Sequence, residues 1–349
     1  MNKNEVKILA ISSGEITKRS FVIEGLKLNF NVNLLPGKVF KDNYLDKIIR
    51  KFGLSWYFGS RARNIKKLNK EIKNKFHLYD ILFIIKGDDV SPFTLAKIKS
   101  SIDPPLIIGW TADDIYLRHN RMPNLIKTAP FYDTFYTSKM INITNKELLK
   151  LGFKNPKFKR QGYDNSIHRK IIKNNSKFKK KIIFIGYGEN DRYQQMNFLA
   201  SNGIKIHIWG NGWKKFSKNK HENLVINKGE LKGYEYSEAL SNCFICLCFL
   251  RKLNRDKYTS RSFEIPACGG FMLAERTEEH LNYFRENIES AYFADKYELL
   301  EKVNFFIKNP DKRDEIARSG YKKCLESNLS YDVIAKEIIQ ENINLDDFN

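Results

Sequence analysis

Residues 256–275 read Asp-Lys-Tyr-Thr-Ser-Arg-Ser-Phe-Glu-Ile-Pro-Ala-Cys-Gly-Gly-Phe-Met-Leu-Ala-Glu. A polar loop leads into the stretch 261–268, which is predicted to form a short helix. Gly269 and Gly270 end that helix, because glycine favours helix termini. The apolar run 271–274 then predicts a strand. A loop, a helix and a strand in this order form one repeat of a parallel α/β sheet.

The same alternation of strands and helices extends along the rest of the chain. A first series has predicted strands at 6–12, 32–35, 81–85 and 106–110, with a helix at 19–28. A second series has predicted strands at 182–185, 204–209, 243–250 and 271–274, with a helix at 193–201. Two such series predict an α/β chain with two Rossmann-like domains facing each other across a cleft.

The length of 349 residues also suits two domains better than one. A polar, basic stretch separates the two series of strands. The predicted organisation is therefore an N-terminal domain at 1–168, a linker at 169–181, a second domain at 182–330 and a helical tail at 331–349. The tail can pack back across the junction.

Positive charge is concentrated in the first half of the chain. The protein has 61 Lys and Arg against 40 Asp and Glu, a formal net charge of +21. Residues 1–168 carry 30 basic and 15 acidic residues, and the linker carries seven basic residues and no acid. The remaining residues are nearly balanced, with 24 basic and 25 acidic. This asymmetry predicts that the N-terminal domain meets a polyanion.

The densest positive segment, 47–75, encloses the apolar and aromatic run 52–58, and only Glu71 opposes its charge. The predicted acceptor-side surface comprises Lys47, Arg50, Lys51, Trp56, Arg61, Arg63, Lys66, Lys67, Lys70 and Lys73. Aromatic rings beside lysines suit an anionic membrane surface. They also suit nucleic acid, where rings stack on bases. A solvated helix beside a buried aromatic segment is the third interpretation.

Composition excludes several classes of protein. Hydrophobic residues make up 42% of the chain, which is too many for intrinsic disorder. The longest apolar run, 243–250, is far shorter than the roughly 20 residues that a membrane span needs. The polar first residues predict no secretory leader. Five cysteines without a paired ligand spacing predict no metal site and favour the reducing cytoplasm. The basic segment 47–75 extends this expectation to peripheral attachment at the inner membrane face.

The polar loop of the opening stretch carries groups suited to a phosphate and a sugar. Free amides at the helix start, with the hydroxyls of Thr259 and Ser260, can donate to an anion. Arg261 offers two parallel donors to phosphate. Glu264 lies about one turn later on the same side. Because phosphate repels a carboxylate, Glu264 is better suited to accept hydrogen bonds from two ribose hydroxyls. An ordinary capped helix with an exposed ion pair is the alternative.

Residues 261–270 resemble the Arg-x-Phe-Glu-Ile-x-Ala-Cys-Gly-Gly signature of the CgeB-like (spore-maturation-protein-like) family, group-1 glycosyltransferases of GT-B fold. Further stretches similar to elements of this family are 109–114, 162–169, 184–192 and 208–213. The resemblance covers roughly residues 80–330. It implies a metal-independent glycosyltransferase with a nucleotide sugar as co-substrate and no other cofactor.

The resemblance also implies roles for individual residues. The second domain would bind the donor through Gly186, Arg192, Gly210, Gly212, Asp256, Tyr258, Thr259, Ser260, Arg261 and Glu264. Glu264 would bind the ribose, and Arg192 would face the diphosphate. Asp256, eight positions before Glu264, stands where the family has a Glu that contacts the donor sugar. His168 lies in the family-like stretch beside the linker, where a hinge hydrogen bond explains it as well as catalysis does.

Sugar transfer requires stabilisation of the leaving diphosphate and removal of a proton from the acceptor. Arg261 is the predicted catalytic group for the first task. Asp113 and Asp114 follow a predicted strand and are the candidate bases, although one of them could instead cap the next helix. Asp88 and Asp89 form a similar pair.

The expected acceptor is anionic, a cell-surface glycan or a lipid-linked intermediate. One alternative keeps the chemistry and places the sugar on nucleic acid, on a modified base of phage-type DNA. The other is a catalytically idle GT-B scaffold that binds glycan or polyanion. The charge asymmetry favours an anionic partner in all three cases.

Overall fold

The protein is described from a computed structural model, which covers residues 6–12, 21–36, 44–51, 58–121, 123–218 and 220–343. Its strands are β1 (Lys7–Ser12), β2 (Asn31–Pro36), β3 (Ile81–Ile85), β4 (Leu106–Thr111), β5 (Thr134–Thr137), β6 (Pro156–Phe158), β7 (Ile182–Ile185), β8 (Ile206–Trp209), β9 (Leu224–Ile226), β10 (Ile245–Cys248), β11 (Met272–Glu275) and β12 (Ala291–Phe293).

Helices surround these strands. They are α1 (Phe21–Lys27), α2 (Tyr44–Lys51), α3 (Gly59–Lys75), α4 (Pro92–Lys99), α5 (Pro123–Thr128), α6 (Met140–Thr144), α7 (Glu147–Lys150), α8 (Asn190–Ser201), α9 (Gly233–Asn242), α10 (Arg261–Ala267), α11 (Glu278–Tyr283), α12 (Lys296–Lys308), α13 (Pro310–Glu326) and α14 (Tyr331–Gln340). No helix among the described residues is both long enough and apolar enough to span a bilayer.

The chain divides into two compact units. The first comprises Met1–Gln161 together with Tyr331–Asn349, and the second comprises Gly162–Ser330. The stretch 169–181 thus lies in the second unit, and the tail from Tyr331 lies in the first.

The first unit is a parallel sheet in the order β2-β1-β3-β4-β5-β6. Ile8 and Ala10 of β1 pack in a core that includes residues of α1 and α14. Leu9 and Ile11 point to the other side, where they pack in a core with residues of α3 and α4. Because both faces are covered, β3 is apolar throughout.

Helix α14 completes the first unit by packing closely on α1. A Cβ added at Gly25 of α1 would lie 2.5 Å from the carbonyl oxygen of Tyr331. Glycine at this position therefore allows the two helix backbones to approach. Tyr331 also packs edge-on against Trp110 at the end of β4, with ring centroids 6.5 Å apart.

The second unit is also a parallel sheet, in the order β12-β11-β10-β7-β8-β9. The chain first builds outward from β7 to β9 and then returns to place β10 on the other side of β7. This order is that of dinucleotide-binding Rossmann domains, and its reversal point lies between β7 and β10. One apolar core includes residues from these strands and from α8 and α12.

The predicted α/β class with two Rossmann-like units is therefore confirmed. The sequence did not predict β5, β6, β9 and β12, each of which has three or four residues. Strands this short contain too few side chains for a periodic pattern to stand out from a loop.

Candidate functional site

The predicted donor-binding residues meet at the carboxyl ends of β7 and β10. These strands are neighbours at the reversal point of the second sheet, where open parallel sheets bind their ligands. At this point the ring of Phe184, on β7, contacts the guanidinium groups of two arginines. The guanidinium carbons of Arg192 and Arg261 lie 5.6 and 6.0 Å from the centre of its ring. The structure thus brings the two predicted cations together.

Arg192 is only 3% exposed and is held in place by backbone groups. Its guanidinium donates hydrogen bonds to three carbonyls, those of Tyr187, Phe249 and Leu250, at 3.0 to 3.3 Å. Burial, with the positive charge of Arg261 as a second cause, lowers the pKa of Arg192 to about 10. Arg192 therefore joins the loops after β7 and β10 and adds positive charge to the site.

Two donors near the start of α10 are buried without a hydrogen-bond partner in the described part of the chain. They are the hydroxyl oxygen of Thr259 and the Nε of Arg261. Leaving such a group unpaired costs about 1–3 kcal/mol. A ligand with acceptor oxygens, such as a phosphate, would satisfy both groups.

The backbone amides of this segment are largely used within it. The amides of Ser262, Phe263 and Glu264 donate to the carbonyls of Thr259 and Ser260. The amide of Thr259 donates to Oγ of Ser262 at 3.0 Å. Because these amides already have partners, the side chains of Thr259 and Arg261 are more important donors to a ligand than the predicted free amides.

His280 holds the same loop from the interior. Its Nδ1 lies 2.7 Å from the carbonyl oxygen of Glu275, which can only accept, so the ring proton is on Nδ1. Nε2 therefore accepts from the hydroxyl of Ser262 at 2.7 Å. Burial lowers the pKa of His280 to about 4, which keeps the ring neutral at pH 7. Sequence analysis did not single out His280, because an isolated histidine without ligand spacing carries no signal.

Glu264 is 5% exposed and lies in a small polar cluster. Its Oε2 accepts a hydrogen bond of 2.5 Å from the hydroxyl of Tyr236, which is on α9. Its Oε1 lies 3.9 Å from Nε2 of His168. Sequence analysis did not predict Tyr236, because a tyrosine in a helix 28 residues away carries no local motif.

The predicted glycines shape the loops that follow β7 and β8. Gly210 has φ of +132°, and a Cβ there would lie 2.2 Å from the carbonyl oxygen of Gly186. Gly212 has φ of +83°, and a Cβ there would meet the ring of Tyr187 at 2.8 Å. Larger side chains would push these loops apart. A direct contact of these glycines with a nucleotide-sugar donor stays a prediction.

Two other predicted donor residues make contacts within the protein. Asp256 accepts hydrogen bonds from the amide of Arg251 and the side-chain amide of Asn254, both in its own loop. Tyr258 is buried, and its ring packs edge-on against Phe263 at 5.8 Å. These contacts hold the loop in front of α10. Roles for either residue in binding the donor sugar stay predictions.

In the first unit, the two candidate bases have different surroundings. Asp114 is fully buried and accepts hydrogen bonds from the amide of Tyr116 and the side chain of Asn142. Asp113 is half-buried and forms an ion pair of 2.7 Å with Lys86. Asp113 is therefore the more accessible of the pair, and Asp114 has the contacts of a structural residue.

A further acid, Asp88, lies just after β3 in the first unit. Burial raises its pKa to about 6. The carboxylates of Asp89 and Asp113 act in the same direction, and the cations of Lys86 and Arg61 oppose it. A carboxyl group with a pKa near 6 is well matched to proton transfer near neutral pH. Sequence analysis identified Asp88 only as part of an acidic pair with Asp89, because the burial of a side chain cannot be read from a sequence.

Helix α3 carries the described part of the predicted basic surface. Leu68 and Ile72 bury one face of the helix. The exposed basic side chains of the helix include Arg63, Lys66, Lys67 and Lys70. Lys73 lies over the ring of Phe93 at 5.5 Å, and Arg61 pairs with Asp89 at 3.3 Å. Of the remaining predicted residues, Lys47, Arg50 and Lys51 belong to α2, and Trp56 lies outside the described residues.

A cavity of the first unit lies at the amino ends of strands β1 to β4. It has a volume of about 880 Å³ and is lined by residues that include Val6, Asp80, Leu106 and Ile343. Val6 and Ile343 border chain segments outside the described residues. Parallel sheets bind ligands at their carboxyl ends, so this cavity is separate from the candidate site.

Metal ligands are not clustered in the described ranges, where no group of three or more His, Cys, Asp and Glu side chains could hold an ion. The five cysteines are free thiols. Cys243 and Cys246 have their sulfur atoms 2.8 Å apart at the start of β10.

Residues 193–340 match the sequence model of a family described as glycosyl transferase-like. The matched segment contains α10 with Arg261 and Glu264. No curated protein matches the chain by sequence.

Solved structures resemble the chain over nearly its whole length. HepE from Anabaena in complex with UDP-glucose is 12% identical, with a TM-score of 0.66 over 97% of this chain and 99% of that chain. Sucrose-phosphate synthase from Thermosynechococcus elongatus is 9% identical, with a TM-score of 0.65 over 99% and 100%. A glycosyltransferase from Rickettsia africae is 10% identical, with a TM-score of 0.60 over 96% and 97%. These similarities establish the fold and confirm the predicted GT-B class.

Proposed function

We propose that the protein is a nucleotide-sugar-dependent glycosyltransferase of the CgeB-like group and that its second unit binds the donor. The observation that carries this proposal is the pair of buried, unsatisfied donors on Thr259 and Arg261, at the reversal point of a Rossmann sheet. The nearby charge of Arg192 makes the site suited to a diphosphate. The glycosyl transferase-like match over residues 193–340 supports the same assignment.

The proposed chemistry follows from the charge that develops during transfer. As the sugar departs through an oxocarbenium-like transition state, negative charge grows on the diphosphate. Arg261 stabilises that charge directly, and Arg192 adds to the positive potential from its fixed position. Glu264 accepts hydrogen bonds from the ribose. Asp113 and Asp88 are the acids in the first unit proposed to take the acceptor proton.

We propose further that the acceptor is anionic and is a surface glycan or a lipid-linked intermediate at the inner membrane face. The exposed row of lysines and Arg63 on α3 supports this proposal, since it presents several positive charges on one helix. A lipid-linked acceptor would bring the enzyme to an anionic surface, which such a row would bind.

Thermal denaturation with a panel of UDP, GDP, ADP and CDP tests the donor site. One of these is expected to raise the melting temperature, because a ligand that binds only the native state stabilises it by about 2.7 kcal/mol at 100 times its Kd. Glu264→Ala is expected to weaken binding of that nucleotide about tenfold, since the ribose hydroxyls lose a charged acceptor.

The matched control for this experiment is Glu301→Ala, which removes an exposed carboxylate on α12 of the same unit. It is expected to bind the nucleotide like the parent. If no nucleotide of the panel stabilises the parent protein, the proposed function fails. If Glu264→Ala binds like the parent, the ribose lies elsewhere.

Transfer activity is expected to persist in excess EDTA. Arg192 and Arg261 supply the positive charge that a metal would otherwise bring to the diphosphate. The measurement compares the rate of sugar release from the donor before and after chelation. Complete loss that Mg²⁺ or Mn²⁺ restores would contradict a metal-independent mechanism.

A further inference from the structure

We infer that Tyr236 and His168 are positioning residues that leave Glu264 one carboxylate oxygen for a ligand, and that the second unit thereby selects a ribose over a 2′-deoxyribose. This inference rests on the proposed function, because it takes Glu264 as the group that binds the ribose ring of the nucleotide.

Tyr236 fixes one oxygen of the carboxylate. Its hydroxyl lies 2.5 Å from Oε2 of Glu264, a length typical of a strong hydrogen bond to an ionised acceptor. Burial, with the charge of Glu264 as a second cause, raises the pKa of Tyr236 well above its ordinary value. The phenol therefore keeps its proton and acts as a donor throughout the neutral pH range.

His168 lies beside the other oxygen. Its Nδ1 accepts a hydrogen bond of 2.9 Å from the amide of Asp164, so the neutral ring carries its proton on Nε2. That nitrogen lies 3.9 Å from Oε1 of Glu264, and both side chains are buried. The imidazole also packs edge-on against the ring of Tyr236, with centroids 5.6 Å apart. The two aromatic residues thus limit rotation of the carboxylate.

This arrangement has a consequence for the ligand. Each carboxylate oxygen has two lone pairs, and Oε2 already accepts from Tyr236. Oε1 remains to accept from the two neighbouring hydroxyls of a ribose. A 2′-deoxyribose lacks one of these hydroxyls and would leave a buried charged acceptor less satisfied. A hydrogen bond to a charged group changes affinity by about tenfold or more, which sets the expected selectivity.

The test compares dissociation constants for UDP and 2′-deoxy-UDP by titration calorimetry. If another member of the nucleotide panel binds more tightly than UDP, that nucleotide and its 2′-deoxy analogue are used instead. The parent protein is expected to prefer the ribonucleotide about tenfold. In Tyr236→Phe the preference is expected to fall below about threefold, because the carboxylate can turn away from the sugar once Oε2 loses its donor.

Tyr234→Phe is the matched control, since Tyr234 is an exposed tyrosine on the same helix. It is expected to keep the selectivity of the parent. His168→Gln keeps an N–H group beside Oε1 of Glu264 and is expected to keep more selectivity than His168→Leu. The ratio of two dissociation constants separates positioning from general loosening, because a partly unfolded protein loses affinity for both nucleotides equally.

The outcomes distinguish this inference from the proposed function. If the parent binds none of the four nucleoside diphosphates, the proposed function is overturned and the inference falls with it. If the parent binds ribose and deoxyribose equally, or if Tyr236→Phe remains as selective as the parent, only the inference is overturned.

Discussion

Arg261→Ala is expected to lower the turnover number of the enzyme about 10²- to 10³-fold while changing donor affinity much less. Removal of one preorganised donor to a developing negative charge typically costs about 3–4 kcal/mol. The diphosphate carries more charge in the transition state than in the bound donor, so the loss falls mainly on kcat. The measurement is kcat and KM for sugar transfer, with nucleotide sugars built on the nucleoside diphosphate that stabilises the protein in thermal denaturation.

Two further variants separate a catalytic role of Arg261 from a structural one. Arg261→Lys keeps the charge but loses the parallel donors, and an intermediate kcat is expected. Arg318→Ala removes an exposed arginine from α13 of the same unit and is expected to have the kcat of the parent. Parent-like turnover by Arg261→Ala would mean that the donor diphosphate lies elsewhere.

The fold could be predicted because most strands are continuous apolar runs. Strands β3 and β7 have the predicted bounds, since each is a buried apolar run bounded by a charged residue on one side and by a charged residue or glycine on the other. The edge strands β6 and β9 have three residues each and lie beside only one neighbour. Their positions depend on the sheet that they join more than on their own sequence, so local patterns did not reveal them.

The candidate site could be predicted only where its residues are close in sequence. Arg261 and Glu264 lie one helical turn apart, so their relation follows from spacing alone. Tyr236 and Glu264 are 28 residues apart, and their contact arises only when α9 and α10 pack in the folded unit. The same holds for Asp88, whose raised pKa comes from burial. Environment, and not residue type, gives these groups their properties.

The lysines of α3 are expected to determine affinity for anionic membranes. Changing Lys66, Lys67, Lys70 and Lys73 together to Gln should weaken binding by about 4 kcal/mol, or about 10³-fold, because each lysine near such a surface contributes about 1 kcal/mol. The measurement is co-sedimentation with liposomes that contain phosphatidylserine, against liposomes of phosphatidylcholine alone. Hydrolysis of the donor needs no acceptor and should be unchanged.

A matched control carries the same change of charge on the second unit. Lys205, Lys214, Lys215 and Lys218 are exposed there, and their joint change to Gln should leave liposome binding near that of the parent. Binding of the parent should also weaken as salt rises, because the Debye length shrinks from about 10 Å at 0.1 M to about 3 Å at 1 M. Trp56→Ala should then reduce the binding that survives high salt, if its ring enters the headgroup layer.

The alternatives for the acceptor give different results in the same experiment. A parent protein that ignores anionic liposomes but shifts duplex DNA would overturn the membrane proposal and favour a nucleic-acid acceptor, for which stacking aromatics and lysines are equally suited. Loss of liposome binding in both quadruple variants alike would mean that net charge, and not the row on α3, attracts the protein. Loss confined to the α3 variant would link the first unit to an acceptor at the membrane.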